Sequence, residues 1–346
     1  MRVVIDGRKI ADYGIGTYIR GLLRGLQELG GNDEYVVLAP QSAKELIAKE
    51  LIPFEHVVSD AAKYSLREIV AIGAAVRRLG ADVFHAPHYV IPVTSTPTVV
   101  TIHDLIHLHL RNPVKRAYAW TMLRRAARQT VVTVTDAMKR EIESTLGARD
   151  VIVTPNGVDP RFTPQGRRAP GQYFLFVGND KPHKNVATLV AAYEGVKWSA
   201  ERSGAMLPPR AGFVLAGSPF AQYRTRATLA GFVGDEELAA LYRGAIALVI
   251  PSIEEGFGLP AVEAMACGTA VITSNAPALV EITGDAALHV DARDAGAIGG
   301  AMLRLANDDA LRGDLASRGI ARARQFTWRG CAEKTREAYE RALHRS

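Results

Sequence analysis

The sequence predicts an α/β protein with two doubly wound, parallel-sheet domains. Its 346 residues exceed what one ordinary hydrophobic core holds. Short apolar segments typical of buried strands alternate with helical patterns along the whole chain, as they do in parallel sheets. A stretch rich in turn-forming residues, from Thr154 to Gly171, lies near the middle. Together these observations favour two domains joined by a linker.

Composition and charge leave several function classes open. The net charge is +6, with 42 lysines and arginines against 36 aspartates and glutamates. This modest excess suits a nucleic acid, an anionic lipid surface or a phosphorylated small ligand equally well. The two cysteines, Cys267 and Cys331, form no CxxC pair, which favours a reducing compartment. The chain starts directly with a strand pattern and has no apolar run long enough to cross a bilayer, so we expect a cytoplasmic protein, free or peripheral to the membrane.

The first half opens with a strand, a glycine-bearing loop and a helix. The strand is Arg2–Ile5, the loop carries Gly14 and Gly16 and runs to Tyr18, and apolar residues at helical spacing predict a helix from Ile19. The glycines would let the loop pass close to a phosphate or a sugar. The loop has neither the GxGxxG pattern nor a Walker lysine, so it does not identify the ligand by itself. Further strands are predicted at Tyr35–Ala39, Val83–His85, Thr98–Ile102, Val131–Val134 and Val151–Val153, with helices at 43–51 and 66–79.

Histidines stand at the ends of two of these strands. His85 and His88 follow one strand, and His103 and Asp104 follow the next. Ligands bind beyond the carboxyl ends of parallel strands, so these side chains are candidates for a site. Zinc is one alternative, because His103 and His107 have HxxxH spacing, although no HExxH occurs. A single histidine that hydrogen-bonds a substrate and a purely structural histidine are the other two.

A basic segment, Arg111–Arg128, carries aromatic and apolar residues between its lysines and arginines. A helix of this composition can lie on an anionic membrane, with its apolar side chains inserted and its basic ones at the lipid phosphates. An ordinary solvated helix face is the alternative. An acceptor substrate carried on a lipid would explain why this helix binds a membrane.

The second half repeats the strand–loop–helix pattern. The strand Tyr173–Val177 ends at Gly178, and the loop after it carries Lys181 and Lys184 before a helix at 186–193. Glycine at a strand end, followed by two lysines before a helix, suits a phosphate-bearing ligand. The next strand, Gly212–Gly217, also has glycine at its exit. Further strands are predicted at 229–233, 245–250, 270–274 and 287–290.

The most specific stretch follows the strand at 245–250. Its turn comprises Glu255, Gly256, Phe257, Gly258 and Leu259. Pro260 marks the start of a helix, which places Glu263 one to two turns inside it. Unpaired N–H groups at a helix start suit phosphate, and the two carboxylates can face one ligand, Glu255 at a reacting group and Glu263 at a hydroxyl pair. The alternative is a strand–glycine–helix junction that binds nothing.

These motifs together resemble the retaining glycosyltransferases of family 4, which have the GT-B fold of two facing Rossmann-like domains with a cleft between them. Glu255 and Glu263 match the E-x7-E signature of that family, within PSIEEGFGLPAVEAMACG. Gly14–Tyr18 resembles its N-terminal glycine loop, and Thr101–Asp104 resembles the strand end with its histidine. Lys184 stands where such enzymes place a diphosphate-binding lysine.

The resemblance departs at one place. Many relatives have an arginine near the start of the lysine loop or just before its lysine, where this chain has Asn179 and His183. Lys184, with help from Lys181, would then carry the positive charge toward the diphosphate.

The resemblance implies a nucleotide-sugar donor bound to the C-terminal domain and neither a metal nor another cofactor, in keeping with the lack of any DxD triplet. His103 and Glu255 are the expected catalytic residues, both at the transferring sugar, and Glu263 would accept hydrogen bonds from the ribose. The other expected donor-binding residues are Gly14, Gly16, Asp104, Gly178, Lys181, Lys184, Gly217, Gly256, Phe257, Gly258 and Leu259.

Domain boundaries and substrates follow from the same resemblance. We expect an acceptor-binding domain over 1–165, a nucleotide-sugar-binding domain over 166–325, and a helix over 326–346 that crosses back to the first domain. The forms GIGTY and TIHDL are similar to bacterial mannosyltransferases of surface-polysaccharide assembly, such as O-antigen or exopolysaccharide. They imply GDP-mannose as the donor and a glycan on polyprenyl diphosphate as the acceptor.

Several alternatives stay open at this point. The enzyme alternatives are a glycosyltransferase that uses a UDP-sugar and a nucleotide-sugar epimerase of the same fold; a pyridoxal-dependent phosphorylase would need a much longer chain. The non-enzyme alternative is a basic protein that binds nucleic acid or a lipid surface, with an affinity that falls steeply with salt. It leaves the spacing of Glu255 and Glu263 unexplained, so we expect no nucleic-acid partner.

Overall fold

In a computed structural model, described for residues 1–50, 54–59, 66–196, 211–218 and 220–345, the chain forms two α/β units. Unit 1 comprises Met1–Gly157 and Thr327–Ser346, and unit 2 comprises Val158–Phe326. The first crossing between the units therefore lies before the boundary predicted at residue 165, and the residues after Phe326 belong to unit 1.

The described residues of unit 1 build one parallel sheet. Its seven strands are β1 (Arg2–Asp6), β2 (Glu34–Ala39), β3 (Glu55–Val58), β4 (Val83–Ala86), β5 (Thr98–Thr101), β6 (Thr130–Thr133) and β7 (Val151–Val153). They lie in the order β3-β2-β1-β4-β5-β6-β7, and each neighbouring pair is parallel. The strand order reverses between β1 and β4, and ligands bind in such sheets beyond the carboxyl ends of the strands at that point.

Helices connect these strands. They are α1 (Tyr13–Leu29), α2 (Lys44–Glu50), α3 (Leu66–Arg78), α4 (Pro113–Ala126) and α5 (Asp136–Leu146). The glycine loop predicted up to Tyr18 is wrong in its extent, because α1 begins at Tyr13 and its first turn is closed by the Gly16 N–H, which donates to the Asp12 carbonyl at 2.9 Å. Burial of the apolar stripe Ile19, Leu22 and Leu26 outweighs the low helix propensity of the four glycines in α1. Residue 51, the predicted end of a helix, lies outside the described residues.

Unit 2 has a second parallel sheet. Its six described strands are β8 (Tyr173–Gly178), β9 (Gly212–Gly217), β10 (Thr228–Gly231), β11 (Ala247–Ile250), β12 (Ala270–Ser274) and β13 (Ala287–Val290). They lie in the order β10-β9-β8-β11-β12-β13, with every pair parallel. Here the order reverses between β8 and β11, so the loops after these two strands are the expected ligand-binding loops.

The helices of unit 2 cover both faces of its sheet. They are α6 (Val186–Gly195), α7 (Asp235–Gly244), α8 (Leu259–Ala266), α9 (Pro277–Thr283), α10 (Ala295–Asn307) and α11 (Asp309–Ala323). Leu189 of α6 and Met302 of α10 pack with Phe174 and Ile272 of the sheet in one buried cluster. Helix α8 packs between α7 and α11, and this packing fixes the position of Glu263, which lies on α8.

The last helix, α12 (Trp328–His344), completes the core of unit 1. It packs along α1, where a side chain at Gly21 would overlap the indole ring of Trp328. On one face of the sheet Val3 and Ile5 join this cluster, whereas Val4 lies in the cluster on the other face, as the period of two in a strand requires. Among the described helices of both units, none is long and apolar enough to cross a membrane.

Candidate active site

In unit 2 the loops after β8 and β11 meet at the reversal of strand order. The first loop ends in a 3-10 turn, Pro182–Lys184, and the second runs from Pro251 to Gly258. The Ile253 N–H donates to the His183 carbonyl at 2.8 Å, which joins the two loops through their backbones. Side chains from both loops are thereby held at one place.

Lys184 and Glu255 form an ion pair across these loops. The Lys184 ammonium donates to Glu255 Oε1 at 2.5 Å, and the Ser252 hydroxyl donates to the same oxygen at 2.8 Å. The side chains are only 19% and 11% exposed, so the pair is poorly screened by solvent. Ser252 is itself fully buried, and its carbonyl accepts a hydrogen bond from Ser274 at 2.5 Å. The arrangement brings a cation for an anionic ligand next to a carboxylate acceptor.

Asn185 fixes the end of the lysine loop, and it was missed in the sequence. Its side-chain amide donates to the Pro251 carbonyl at 3.1 Å and to the Ala292 carbonyl at 2.6 Å. Its Oδ1 accepts from the Thr188 hydroxyl at 2.6 Å. The available signal was an asparagine between the lysine and an apolar helix, where it is common as a cap or turn residue.

Glu263 points toward Tyr242, a second residue missed in the sequence. The Tyr242 hydroxyl donates to Glu263 Oε2 at 2.8 Å, and the Tyr242 side chain is fully buried. Burial raises the pKa of Glu263 to about 7; the bond from Tyr242 acts in the opposite direction, while Asp235 and Asp159 add to the rise. A carboxylate with this pKa can accept hydrogen bonds from a pair of hydroxyls and changes charge near neutral pH.

The turn before α8 is shaped by Gly258 and Phe257. Gly258 has φ +95°, and a Cβ there would lie 2.5 Å from Leu279 Cδ2. The Phe257 ring is buried and stands edge-on to Phe326 with centroids 5.7 Å apart, so it packs in the interior of unit 2. Gly256 is buried, whereas Leu259 is partly exposed. Phe257 can therefore reach a ligand only through its backbone.

The remaining predicted residues of unit 2 lie around the lysine loop. Gly178 ends β8 and Gly217 ends β9, and a side chain on Gly217 would overlap the Gly178 carbonyl. Lys181 is exposed, and its backbone N–H donates to Asn179 Oδ1 at 3.3 Å. Lys184 is thus the lysine that the fold directs to Glu255.

In unit 1, His103 follows β5 and is held in a defined tautomer. Its Nε2 is 3.1 Å from the Pro87 carbonyl, which can only accept, so Nε2 carries the proton and Nδ1 is an acceptor in the neutral ring. Burial lowers the pKa of His103 to about 4, which keeps the ring neutral at physiological pH. Tyr18 stands edge-on to it, with centroids 4.7 Å apart.

The other predicted residues of unit 1 lie at the first turns of α1 and after β5. Asp104 is partly exposed, and its Oδ1 accepts from the Ile106 N–H at 3.2 Å. Gly14 has open space where a side chain would be, whereas a Cβ on Gly16 would lie 2.5 Å from the Ile10 carbonyl. The close contact of Gly16 is therefore with the loop that follows β1.

A buried charged cluster at the reversal between β1 and β4 joins the predicted candidate His88 to an ion pair, Asp6 and Arg8, that was missed. Arg8 binds Asp6 with two hydrogen bonds, Nε to Oδ1 at 2.8 Å and Nη2 to Oδ2 at 2.6 Å. His88 Nε2 lies 3.6 Å from the same carboxylate, and its Nδ1 accepts from the Val90 N–H at 3.1 Å. Burial alone would raise the pKa of Asp6, but the bonds from His88 and Arg8 hold this pKa well below its usual range. The available signal was an aspartate directly after the predicted first strand, followed two residues later by an arginine.

His85 takes the structural role among the interpretations given above. Its ring bridges the Tyr339 hydroxyl of α12 and the Thr101 hydroxyl of β5, at 2.8 Å each. It is fully buried, and burial lowers its pKa to about 3. In the part of the chain that the structure describes, no three histidine, cysteine, aspartate or glutamate side chains gather as a metal site.

The basic segment forms α4, and its outer side is both basic and apolar. Val114 is 76% exposed and Trp120 is 40% exposed. The Arg124 guanidinium lies over the Trp120 ring, 5.6 Å from its centroid. Lys115 and Arg116 are also exposed, whereas Ala119, Leu123 and Ala126 are buried. The helix thus turns small and aliphatic residues inward.

Two family models match this chain in succession. Residues 13–162 match the model described as Glycosyltransferase Family 4, and residues 161–324 match the one described as Glycosyl transferases group 1. The chain belongs to glycosyltransferase family 4. The two matches of this family 4 glycosyltransferase divide close to the boundary between its units, which lies at Gly157 and Val158.

Known proteins agree with this assignment. The family 4 glycosyltransferase is 29% identical to O-antigen chain mannosyltransferase B of Escherichia coli over 293 residues, 75% of this chain and 74% of that protein. Its fold is similar to sucrose-phosphate synthase from Thermosynechococcus elongatus, with a TM-score of 0.77, 19% identity and 100% of both chains covered. It is also similar to Anabaena HepE in complex with UDP and glucose, with a TM-score of 0.73, 17% identity and coverage of 97% and 98%. The predicted GT-B fold of two Rossmann-like, parallel-sheet domains is confirmed.

Proposed function

We propose that this glycosyltransferase moves mannose from GDP-mannose, with retention at the anomeric carbon, to a glycan carried on polyprenyl diphosphate. The observation that carries the proposal is the Lys184–Glu255 pair at the reversal of strand order in unit 2. A diphosphate needs a cation at this edge of the sheet, and a transferring sugar needs a carboxylate next to it. Mannose as the transferred sugar and a surface-polysaccharide glycan as the acceptor are supported by the similarity to O-antigen chain mannosyltransferase B.

The roles of the unit 2 residues follow from their charges. Lys184 neutralises the diphosphate as it leaves. Glu255 accepts hydrogen bonds from sugar hydroxyls and stabilises positive charge that develops at the anomeric carbon. Glu263, aligned by Tyr242, accepts from the ribose hydroxyls. Further donor contacts are assigned to Gly178, Lys181, Gly217, Gly256, Phe257, Gly258 and Leu259, with Phe257 acting through its backbone.

Unit 1 contributes a neutral histidine. With its Nε2 proton bound to the Pro87 carbonyl, His103 offers Nδ1 as an acceptor for a hydroxyl of the transferring sugar. A neutral ring also avoids placing a full positive charge next to an anomeric carbon that becomes electron-poor. Asp104, Gly14 and Gly16 are assigned to the donor from this unit.

A donor screen tests the reaction class and the donor together. GDP- and UDP-sugars are titrated by calorimetry, and slow donor hydrolysis is followed without added metal. We expect GDP-mannose to bind best and to be hydrolysed. If a UDP-hexose binds more tightly, the donor assignment is wrong, and if no nucleotide-sugar binds, the glycosyltransferase site proposed here is wrong.

Variants separate the residues of the site. Lys184→Ala is expected to weaken donor binding roughly 10- to 100-fold, the size of a lost charged hydrogen bond. Lys181→Ala should cost less, under about threefold, because this second lysine of the loop is exposed. Lys334→Ala, an exposed lysine of α12 outside the site, is the matched control and should leave donor binding unchanged. Glu255→Ala should mainly lower kcat, while Glu263→Ala should mainly raise the donor Kd. Equal and negligible effects of both glutamate variants would show that the pair is structural.

We further propose that the enzyme works at the inner face of the cytoplasmic membrane, bound through α4. Exposed Trp120 and Val114 beside Lys115, Arg116 and Arg124 suit insertion among anionic lipids. In vesicle co-sedimentation, binding should appear only with anionic lipid and should fall in the double variant Lys115→Gln/Arg116→Gln. Lys334→Gln/Arg336→Gln on α12, which also removes two positive charges from exposed side chains, is the charge-matched control. Equal binding to neutral and anionic vesicles would contradict the proposal.

A further inference from the structure

Asn185 combines a rare backbone conformation with a fully used side chain. Among the described residues, it is the one non-glycine residue with positive φ, at 57°. The left-handed region is disfavoured for L residues, and asparagine tolerates it better than most. Asn185 lies between Lys184 and the first turn of α6, so its conformation sets the direction in which the lysine loop enters the helix.

The side chain of Asn185 connects three strand ends. It follows β8 in the chain, and its amide reaches the Pro251 carbonyl after β11 and the Ala292 carbonyl after β13. The strands β8 and β11 are neighbours, and β13 is the edge strand beyond β12. Both amide protons and Oδ1 are engaged, because Oδ1 accepts from Thr188. One residue thus holds the lysine loop against the loop that carries Glu255.

The position of Lys184 depends on this connection. Lys184 is adjacent to Asn185, and its ammonium lies 2.5 Å from Glu255 on the other loop. The backbone bond from Ile253 to His183 is a second link between the same loops. The ion pair alone does not fix the relative position of the two loops, because the flexible lysine side chain can follow Glu255. The directional hydrogen bonds of the Asn185 amide do fix this position.

We infer that Asn185 is a positioning residue, which acts through Lys184 to place a cation at the diphosphate of the donor. The inference rests on the proposed function, since it takes the diphosphate to be the ligand of Lys184. Its chemistry predicts which substitutions are informative. Glycine keeps the left-handed backbone and removes all three side-chain bonds, whereas aspartate keeps the size and turns an acceptor toward two carbonyl oxygens.

The test is a double-mutant cycle on nucleoside diphosphate binding. GDP and UDP are titrated into the wild type, and the tighter ligand is then titrated into Asn185→Gly, Lys184→Ala and the double variant. We expect Asn185→Gly to weaken binding about 10-fold, the effect of a displaced charged contact. In the Lys184→Ala background the same change should cost less than about twofold, since the group that it positions is gone. Thr188→Val, which removes one bond to Oδ1, is the matched control and should stay near wild type.

Each outcome decides one question. If the wild type binds neither nucleotide, the proposed function fails, and the inference fails with it. If the wild type binds and Asn185→Gly binds equally well, the inference alone is overturned. It is also overturned if Asn185→Gly loses as much affinity with Lys184 absent as with Lys184 present, because the effect is then a general loosening. Should Asn185→Gly not fold, Asn185→Asp replaces it in the same cycle.

Discussion

Glu263 shows how a single side chain can serve a ligand at the expense of the fold. Its carboxyl lies among Tyr242, Asp235 and Asp159, and burial raises its pKa from 4.5 to about 7. A group whose pKa is raised in the folded state makes its full contribution to stability at pH values below its unfolded pKa. That contribution is lost as the pH rises from about 4.5 to about 7. Ionised Glu263 therefore destabilises unit 2 at neutral pH, where it is the better acceptor for hydroxyls.

The variant Glu263→Gln measures this conflict. Glutamine keeps an acceptor for Tyr242 and carries no charge, so the variant should be more stable than wild type at pH 8 by about 1–3 kcal/mol. At pH 4, below the unfolded pKa of 4.5, Glu263 is mostly protonated in both the folded and the unfolded state, so the difference should nearly vanish. The measurement is urea unfolding at both pH values, with the exposed Glu237→Gln as a control. An equal difference at pH 4 and pH 8 would show that ionisation of Glu263 is not its origin.

At the same scale, the sequence reveals charged residues better than their partners. Glu255, Glu263 and Lys184 could be identified from a motif and from strand ends. Tyr242 and Asn185 could not, because one is an ordinary apolar position of a helix and the other an ordinary cap. Their roles arise only when α7 packs on α8 and when the loops after β11 and β13 come within reach.

Among the elements, α8 depends most on how it begins. Gly258 precedes it with φ +95° and ψ +50°, and Pro260 occupies the first turn, where its missing N–H costs no hydrogen bond. This start fixes where α8 begins after the β11 loop, and with it the position of Glu263. The conformation and the contact with Leu279 both exclude a side chain at Gly258.

Gly258→Ala should therefore destabilise the protein by about 2–4 kcal/mol, from backbone strain plus a clash with Leu279. Gly284→Ala, also at positive φ but in open space, should show strain alone, at about 1 kcal/mol. Gly300→Ala on the exposed side of α10 should instead stabilise by about 0.5–1 kcal/mol. Urea denaturation of the three variants gives the order, and a Gly258→Ala effect no larger than that of Gly284→Ala would rule out the clash.

Element positions were largely predictable, and their exact ends were less so. Strands such as β5 and β11 are short apolar runs with few other interpretations, and both were found within a few residues. The start of α1 was placed too late, since Gly14 and Gly16 are typical of loops and only packing of the helix explains them inside it. The edge strand β3, with both ends exposed, has no apolar run and was not predicted.

At the scale of the whole molecule, α12 ties the end of the described chain to unit 1 through a buried polar network. The Tyr339 hydroxyl binds His85, His85 binds Thr101, and Thr101 binds Tyr18 at 2.9 Å. All four side chains are at most 1% exposed. Such a network stabilises only while every member keeps its partner.

Tyr339→Phe should accordingly destabilise unit 1 by about 1–3 kcal/mol, because His85 is left buried without one of its two partners. Tyr35→Phe is the control, because its hydroxyl lies at the edge of the core and makes a long hydrogen bond of 3.5 Å to Asp33. This variant should change stability by less than about 0.5 kcal/mol. Hydrogen exchange should show lost protection in β4 and β5 but not in β8 and β11. Uniform loss across both sheets would indicate that the units unfold together.

The return of α12 to unit 1 also sets an order of events during synthesis. Unit 2 is one continuous stretch, Val158–Phe326, whereas unit 1 needs Trp328 and Tyr339 to close its core. Domains usually fold as the ribosome releases them, N-terminal first. Here the N-terminal sheet is synthesised early. The sheet face that carries Val3 and Ile5 stays incompletely covered until unit 2 and then α12 have been made. A chaperone that binds apolar surface would find its target in the first half of the nascent chain, for as long as the second half takes to translate.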